Sequence, residues 1–497
     1  MLSSIRTSYF AHEMSLRQGD ILERQSALSC LSMRHIDLPK NSKLYVKLYK
    51  GLMMKEKFRQ LKDFNWRLFI ALCALALVPA IYQTIKTFII STSNQSDVFD
   101  IIGQMEWFDL INETLQAFLI IPLYSILNKV FKHDKDNFAK HTFKTGLVAF
   151  VIYTLFSIGV LIYGVVLIKA MNPNEIDIAT VNRYLQLETV AFMVGIIVSF
   201  VNVVFVVIGK DKNVYVFLAV NVTLSIIADL LLIPNLGVYG IAISNIIVNT
   251  ILAIASFLLL YGQKYIKFCW FRKDDLQILK EWGKVGVFSG VQQFIDNRIY
   301  AIMICKMVNM VAEQGNYWIA NNFIWGWLLI PISALSEIIR RDCKDGYNNL
   351  KQFNYYFISA AVVVLWAITI PLWTPFYRYA ENLSNAKEIF LITIKLAPFY
   401  IAYAGCAIID NIFVGLGKTV YNAINSLIIN FVYYGIFYLL YVTNAITFTM
   451  DVIILMFGFG MVVHLAVSLV EEKVFLRKFE LKNLSTKPKT TSNTDKQ

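Results

Sequence analysis

The sequence predicts an all-α membrane protein of twelve transmembrane helices, arranged as two six-helix lobes related by an internal repeat. Composition is the first ground. Of 497 residues, 57% are hydrophobic and only 16% charged, whereas a soluble chain carries about a quarter charged residues. The second is run length: apolar stretches such as 147–168 and 191–208 match the ~20 residues that cross a bilayer. The third is repetition. Ile121-Pro122 returns as Ile330-Pro331, Lys135-Asp136 as Lys344-Asp345, Gly209-Lys210 as Gly417-Lys418, Tyr215 as Tyr421 and Asn221 as Asn430, at spacings between 206 and 209 residues.

Hydrophobic run length places the spans in order. The first lobe (66–262) holds spans at 66–91, 103–128, 144–169, 182–208, 214–234 and 238–262. A Lys-, Arg- and Asp-rich linker covers 263–283. The second lobe (284–472) holds 284–310, 316–339, 354–374, 388–412, 420–442 and 450–472. Residues 1–65 read as a cytoplasmic segment, with Met53 or Met54 as an alternative start. Residues 473–497 read as a cytoplasmic tail, disordered from about 481. Pro79, Pro122 and Pro331 fall inside spans 1, 2 and 8, where each removes a backbone hydrogen bond and marks a bend.

Orientation follows from the basic residues. The links 2–3, 4–5, 6–7, 8–9 and 10–11 carry eighteen Lys and Arg, against four (Lys169, Arg183, Arg378, Lys387) on the opposite side. The positive-inside rule therefore puts both termini in the cytoplasm of a multi-pass protein of the plasma (inner) membrane. The net charge of +12 comes from these links, so the expected partners are the lipid bilayer and a small-molecule substrate, not nucleic acid. No G-x-x-x-x-G-K-[ST] loop occurs, so no nucleotide is expected. No hydrolase constellation occurs either, and the chain reads as a non-enzyme acting as a monomer. The six cysteines form no CxxC pair and the five histidines do not cluster in sequence. Disulfides, metals and cofactors are therefore not expected, a coupling ion apart.

Polar residues within apolar helices point to function, because a charge near mid-bilayer costs several kcal/mol. In span 2, Glu106, Asp109 and Glu113 share one helix face with Gln116, as a cavity lining or an interfacial stripe. Lys86 in span 1 either snorkels or pairs with Glu113 or Asp109. Span 7 carries Gln292, Gln293, Asp296, Asn297 and Arg298. Asp296 lies near mid-bilayer, and Arg298 at i+2 cannot face it. Asp410-Asn411 lies in span 10, with Asn202 at the repeat-related position. Asn321, Asn322 and Trp325 in span 8 are candidates for an amphiphilic pocket. Glu188 is a weaker candidate, and Asp229 and Glu337 read as interfacial.

Three motifs carry a resemblance: Leu236-Gly-Val-Tyr-Gly-Ile-Ala-Ile-Ser244, Val285-Gly-Val-Phe-Ser-Gly-Val-Gln-Gln-Phe-Ile-Asp296 and Val414-Gly-Leu-Gly-Lys-Thr419. With two six-span halves, the chain over 60–475 resembles the multidrug and toxic compound extrusion (MATE) family, whose wider superfamily includes lipid and polysaccharide flippases. The resemblance implies cation-coupled export of organic, often cationic, compounds by alternating access. It implies cation coupling at Asp296 and Asp410, and Asn297, next to Asp296, is added as a candidate helper from its place in the sequence. Cargo then falls to Asp109, Glu113, Gln116, Gln292, Asn321, Asn322 and Trp325. The span-1 carboxylate of the family is replaced by Lys86, which favours sodium in the second lobe over a proton in the first. No metal is expected beyond sodium at Asp296. The alternative is a flippase for a lipid-linked glycan or other lipid.

Overall fold

The computed structural model describes residues 60–485, except 94–96, 173–176, 272–274, 344–345 and 348–349. The proposed starts at Met53 and Met54, the basic residues Arg272, Lys273 and Lys344, and the tail beyond 485 lie outside the described residues. The described chain is helical throughout, with no strand among the described residues.

In the first lobe, span 1 is α1 (Trp66–Thr92). Span 2 is built from α2 (Val98–Gln104), α3 (Glu106–Leu119) and α4 (Ile121–His133). Spans 3 to 6 are α5 (Lys135–Met171), α6 (Ile178–Val207), α7 (Asp211–Leu236) and α8 (Val238–Gly262). In the second lobe, span 7 is α9 (Asp275–Tyr300), a π-turn at Ala301–Cys305 and α10 (Lys306–Met310). Span 8 is α11 (Gln314–Phe323), a π-turn at Ile324–Leu328 and α12 (Ile330–Asp342). Spans 9 and 10 are α13 (Gln352–Pro375), ending in a π-turn at Phe376–Ala380, and α14 (Ala386–Gly415). Span 11 is α15 (Val420–Leu427), a π-turn at Ile428–Tyr433 and α16 (Tyr434–Val442). Span 12 is α17 (Met450–Ser485).

Ten of these are long and apolar enough to cross a membrane, and span 8 makes an eleventh if its two bent arms count together. The remaining rod, span 7, is the polar one that carries Asp296. The last helix runs to Ser485, so residues 481–485 are helical where a disordered tail was expected. Helical propensity and the continuing i, i+4 ladder outweigh the polar composition there.

Helix ends follow local chemistry. The Asn65 side chain caps α1 by accepting from the Leu68 amide at 3.0 Å. Asp177 caps α6 by accepting from the amides of Ala179 and Thr180, and the Thr180 hydroxyl and amide hold its carboxyl below the usual range. The repeated Gly-Lys pairs explain themselves. Gly209 and Gly417 take positive φ, 72° and 68°. The Lys210 amide reaches back to the Phe205 carbonyl at 2.8 Å and the Lys418 amide to Phe413 at 2.7 Å. Both spans thus stop in a Schellman-type reversal that favours glycine.

Each lobe has its own core. The largest buried cluster, including Ile304, Ala320, Tyr377 and Ile453, belongs to the second lobe. Two others, around Leu127 and Phe205 and around Ile168 and Ile233, belong mainly to the first. The lobes meet along two seams. Span 7 packs on span 2, where Gly290 lies so close to the Phe118 ring that a Cβ would sit 2.2 Å from it. The Trp282 indole donates to the Leu119 carbonyl at 3.1 Å along the same seam. Span 1 packs on span 8, with the Trp327 indole donating to the Thr84 hydroxyl at 3.1 Å. Its first residues, Leu68 and Leu72, with Phe64 just before them, join a core of the second lobe.

Candidate functional site

Three polar groups lie inside the bundle. In the first lobe, spans 1, 2, 4, 5 and 6 converge. The Tyr82 hydroxyl donates to Asp229 at 2.9 Å, and the Asn245 amide donates to Glu188 at 2.8 Å. Asp229 and Glu188 are buried. The charge of Lys86 lies within electrostatic reach of both Asp109 and Glu188. Asp109 is exposed, with those charged neighbours coming from spans 1 and 4. Asp229 corrects the interfacial reading. Its side chain is 0% exposed because span 5 turns it toward Tyr82 rather than toward the membrane surface.

The second group sits between the lobes. Glu106, partly buried, accepts a hydrogen bond from the Asn321 amide of span 8 at 3.3 Å. Its charge faces Tyr300, Tyr317 and Tyr400, and the hydroxyls of Tyr300 and Tyr317 lie 3.0 Å apart. Trp325, 37% exposed, stands edge-on to Tyr400 and Tyr403. Asn322 has a buried amide nitrogen without a partner. Gln116 is buried, whereas Glu113 and Gln292 are partly buried. Asn112, next to Glu113, accepts from the Tyr153 hydroxyl.

The third group lies within the second lobe. Asp296 accepts from the Ser426 hydroxyl at 2.5 Å and from the Asn430 amide at 2.6 Å. Both partners come from span 11, and Asn430 lies on its π-turn. Asp410 stands close by on span 10. The His464 Nε2 of span 12 is 3.0 Å from Asp410 Oδ2, and the Ser468 hydroxyl donates to Asp410 Oδ1 at 2.9 Å. His464 is within electrostatic reach of Asp296 as well. One imidazole therefore contacts the carboxylate of span 10 and lies near that of span 7.

Asn297 does not join this group. Its amide donates across the lobe seam to the Leu110 carbonyl at 2.9 Å and the Thr114 hydroxyl at 3.1 Å. One residue further along a helix turns a side chain by about 100°, enough to separate it from Asp296. Arg298 turns further still: it is exposed and stacks over Phe294 at 5.9 Å. The partners Ser426, Asn430, His464 and Ser468 were not singled out from the sequence. Hydroxyls, amides and single histidines in apolar helices are common, and only span packing shows which of them meet. Glu337 lies near its neighbours Arg340 and Arg341, at 3.6 and 3.7 Å.

No family profile matches the sequence, and no curated protein matches it. Solved structures do. A structure described as the inward-facing conformation of a multidrug resistance MATE family transporter of the MOP superfamily matches with TM-score 0.66 at 14% identity. That match covers 80% of this chain and 95% of the other. A point mutant of the Vibrio cholerae MATE transporter VcmN matches with TM-score 0.60 at 14% identity, covering 85% and 98%. A MOP superfamily transporter from Pyrococcus furiosus, described by a binding pocket of reversed polarity, matches with TM-score 0.59 at 14% identity, covering 83% and 95%. At this identity the likeness is one of fold, and it spans nearly the whole of each partner. The chain is an all-helical, multi-pass membrane protein with the fold of the MATE transporters of the MOP superfamily.

Proposed function

We propose that this protein is a cation-coupled secondary antiporter that exports organic, amphiphilic or cationic compounds by alternating access across the plasma membrane. The observation that carries the reading is Asp296: a carboxylate inside the second lobe, held by a hydroxyl and an amide of span 11 rather than by a fixed basic residue. Among the described residues no Lys or Arg is hydrogen-bonded to it, so a mobile cation can balance its charge. Carboxylate, hydroxyl and amide oxygens are hard donors that suit sodium, and the Asn430 amide offers its oxygen once it rotates. Asp410 supplies a second carboxylate within reach of the same histidine.

Cargo is assigned to the space between Asp109, Glu113, Gln116 and Gln292 on one side and Asn321, Asn322 and Trp325 on the other, with Glu106 beside them. An ion that binds Asp296 and a cargo that binds the acidic stripe favour opposite states of the lobes, and exchange follows. A flippase for an anionic lipid-linked glycan needs a basic cavity. Here Lys86 is set among Asp109 and Glu188, and Arg298 stacks over Phe294, so the acidic excess of the polar stripe argues against that alternative.

The test is flux of a fluorescent organic cation in proteoliposomes under imposed sodium and proton gradients. Sodium-driven export that disappears in Asp296→Asn is the expected result. Undiminished ion-driven export in a folded Asp296→Asn protein overturns the reading.

A further inference from the structure

The second lobe also gathers, around Asp410, side chains of a chemistry that sodium does not require. Cys406 Sγ, an Asp410 carboxylate oxygen and a His464 ring nitrogen all lie within 4.8 Å of one another. Cys406 and Asp410 are four residues apart on α14 and so share a face. His464, Ser468 and Glu471 share a face of α17, which packs directly on α14. Glu471, 8% exposed, has both carboxylate oxygens buried with no hydrogen-bond partner. It lies within electrostatic reach of Asp410 and His464, so a buried, unpartnered carboxylate stands near the three but outside their 4.8 Å envelope.

We infer that this cluster is a binding site for a divalent transition-metal ion such as Zn²⁺ or Co²⁺. Cys406, Asp410 and His464 would be its ligands, with Glu471 as the fourth. The chemistry of the donor set is the reason. A thiolate and an imidazole are the ligands that borderline-soft divalent ions prefer, and an alkali ion gains little from either. Ligands about 2.0–2.3 Å from a tetrahedral ion stand about 3.5 Å apart. The His464–Asp410 separation of 3.0 Å and the 4.8 Å envelope bracket that value, so small side-chain rotations close the site. Ser468 already plays the orienting part: its hydroxyl fixes Asp410 Oδ1 and in turn accepts from the Asn425 amide at 2.8 Å, the outer support that metal-binding carboxylates commonly have. As the ion binds, the thiol loses its proton to solvent and Sγ takes its place in the coordination sphere. The site shares Asp410 and its neighbour His464 with the exchange reading but does not depend on that reading.

Co²⁺ titration of the purified full-length protein tests this, because a thiolate-to-cobalt charge-transfer band reports Cys406 directly. A saturable band at one equivalent is expected, displaced by Zn²⁺. It is lost in Cys406→Ser, and its affinity falls about tenfold or more in His464→Gln and in Ser468→Ala. No band in the wild type, or an undiminished band in Cys406→Ser, overturns the proposal. Zn²⁺ protection of Cys406 from alkylation, read by peptide mass spectrometry on the wild-type protein, asks the same question without a variant, and equal labelling with and without Zn²⁺ also overturns it. Asp296→Asn separates the two readings: it keeps the cobalt band while its flux reports on exchange alone.

Discussion

The two lobes descend from one repeat but fill equivalent places with opposite chemistry. At the repeat spacing of 209, Asp296 of span 7 corresponds to Thr87 of span 1, whose hydroxyl bonds its own helix at Gln83. The charge at that height in the first lobe is the adjacent Lys86, a cation where the second lobe places an anion. Asn202 stands where Asp410 stands. Backbones differ too. Among the described residues, all four π-turns lie in the second lobe. The repeat-related prolines Pro122 and Pro331 also differ, since only span 8 bends sharply, by 51°. A π-turn ends at Leu328, three residues before Pro331, and none lies before Pro122, so the freed carbonyls of span 8 have slack that span 2 lacks. The first lobe is a regular bundle lined with acids and balanced by a fixed cation. The second is a bundle of adjustable helices around two acids and a histidine. On the function proposed above, this division would put ion binding in the second lobe and cargo attraction in the first.

The largest expected effect follows from that division. Asp296→Asn lowers gradient-driven export at least tenfold, whereas Asp109→Asn keeps ion dependence and raises the half-saturating concentration of a cationic cargo by about tenfold. That is the ~1.4 kcal/mol one screened charge contributes at close range. Proteoliposome flux as a function of cargo at fixed sodium separates the two. If Asp109→Asn abolishes coupling while Asp296→Asn only weakens cargo affinity, the roles of the lobes are reversed.

This contrast was only partly legible in the sequence. The spans were legible because lipid forces each one into an unbroken helix of bilayer length. Observed helices such as Val238–Gly262 and Val420–Val442 coincide with the apolar runs. Asp296 was legible because an acid in the middle of such a run has few uninteresting explanations. Its partners were not: Ser426 and Asn430 lie 130 and 134 residues away, and their approach depends on how spans 7 and 11 pack. Asp229 read as interfacial from its distance to Pro234, yet the azimuth of span 5 buries it against Tyr82. Sequence reports depth along a helix far better than direction around it. Asn297, one residue from Asp296 and facing the other lobe, shows the same limit.

A smaller effect tests how the lobes touch. Gly290 belongs to the motif that gave the family resemblance, and its position explains a packing need: the Phe118 ring of span 2 occupies the place of a side chain. Gly458 has a similar contact with Phe399, a Cβ there falling 2.2 Å from the ring, but inside the second lobe. Each Gly→Ala change costs about 1–3 kcal/mol of overpacking, read as a lower melting temperature in detergent. The seam distinguishes them. Gly290→Ala also slows transport because it props the lobes apart, and Phe118→Ala restores it. Gly458→Ala lowers stability and leaves the ion dependence of flux unchanged. Equal loss of transport from both substitutions means that the span 2–span 7 seam has no special part in the motion.

The smallest effect concerns the end of the third span of each lobe. Glu381 and Asn172 are repeat-related, both buried at 5% exposure, and each closes its helix end. Asn172 donates to the Ile168 carbonyl at 3.1 Å. Burial pushes the Glu381 carboxyl from 4.5 up to about 8, so it is neutral in the folded protein at pH 7. The folded state therefore holds a proton that the unfolded chain releases above pH 4.5, and folding stability falls as pH rises from there through about 8, with no further loss above. Melting curves between pH 5 and 9 should show wild type declining more steeply than Glu381→Gln, with a gap of a few degrees by pH 8 in favour of the variant. Asn172→Asp should import the same slope into the first lobe. Parallel pH profiles for all three proteins would mean that Glu381 is solvated or paired in solution and that the two span ends do not differ in charge burial at all.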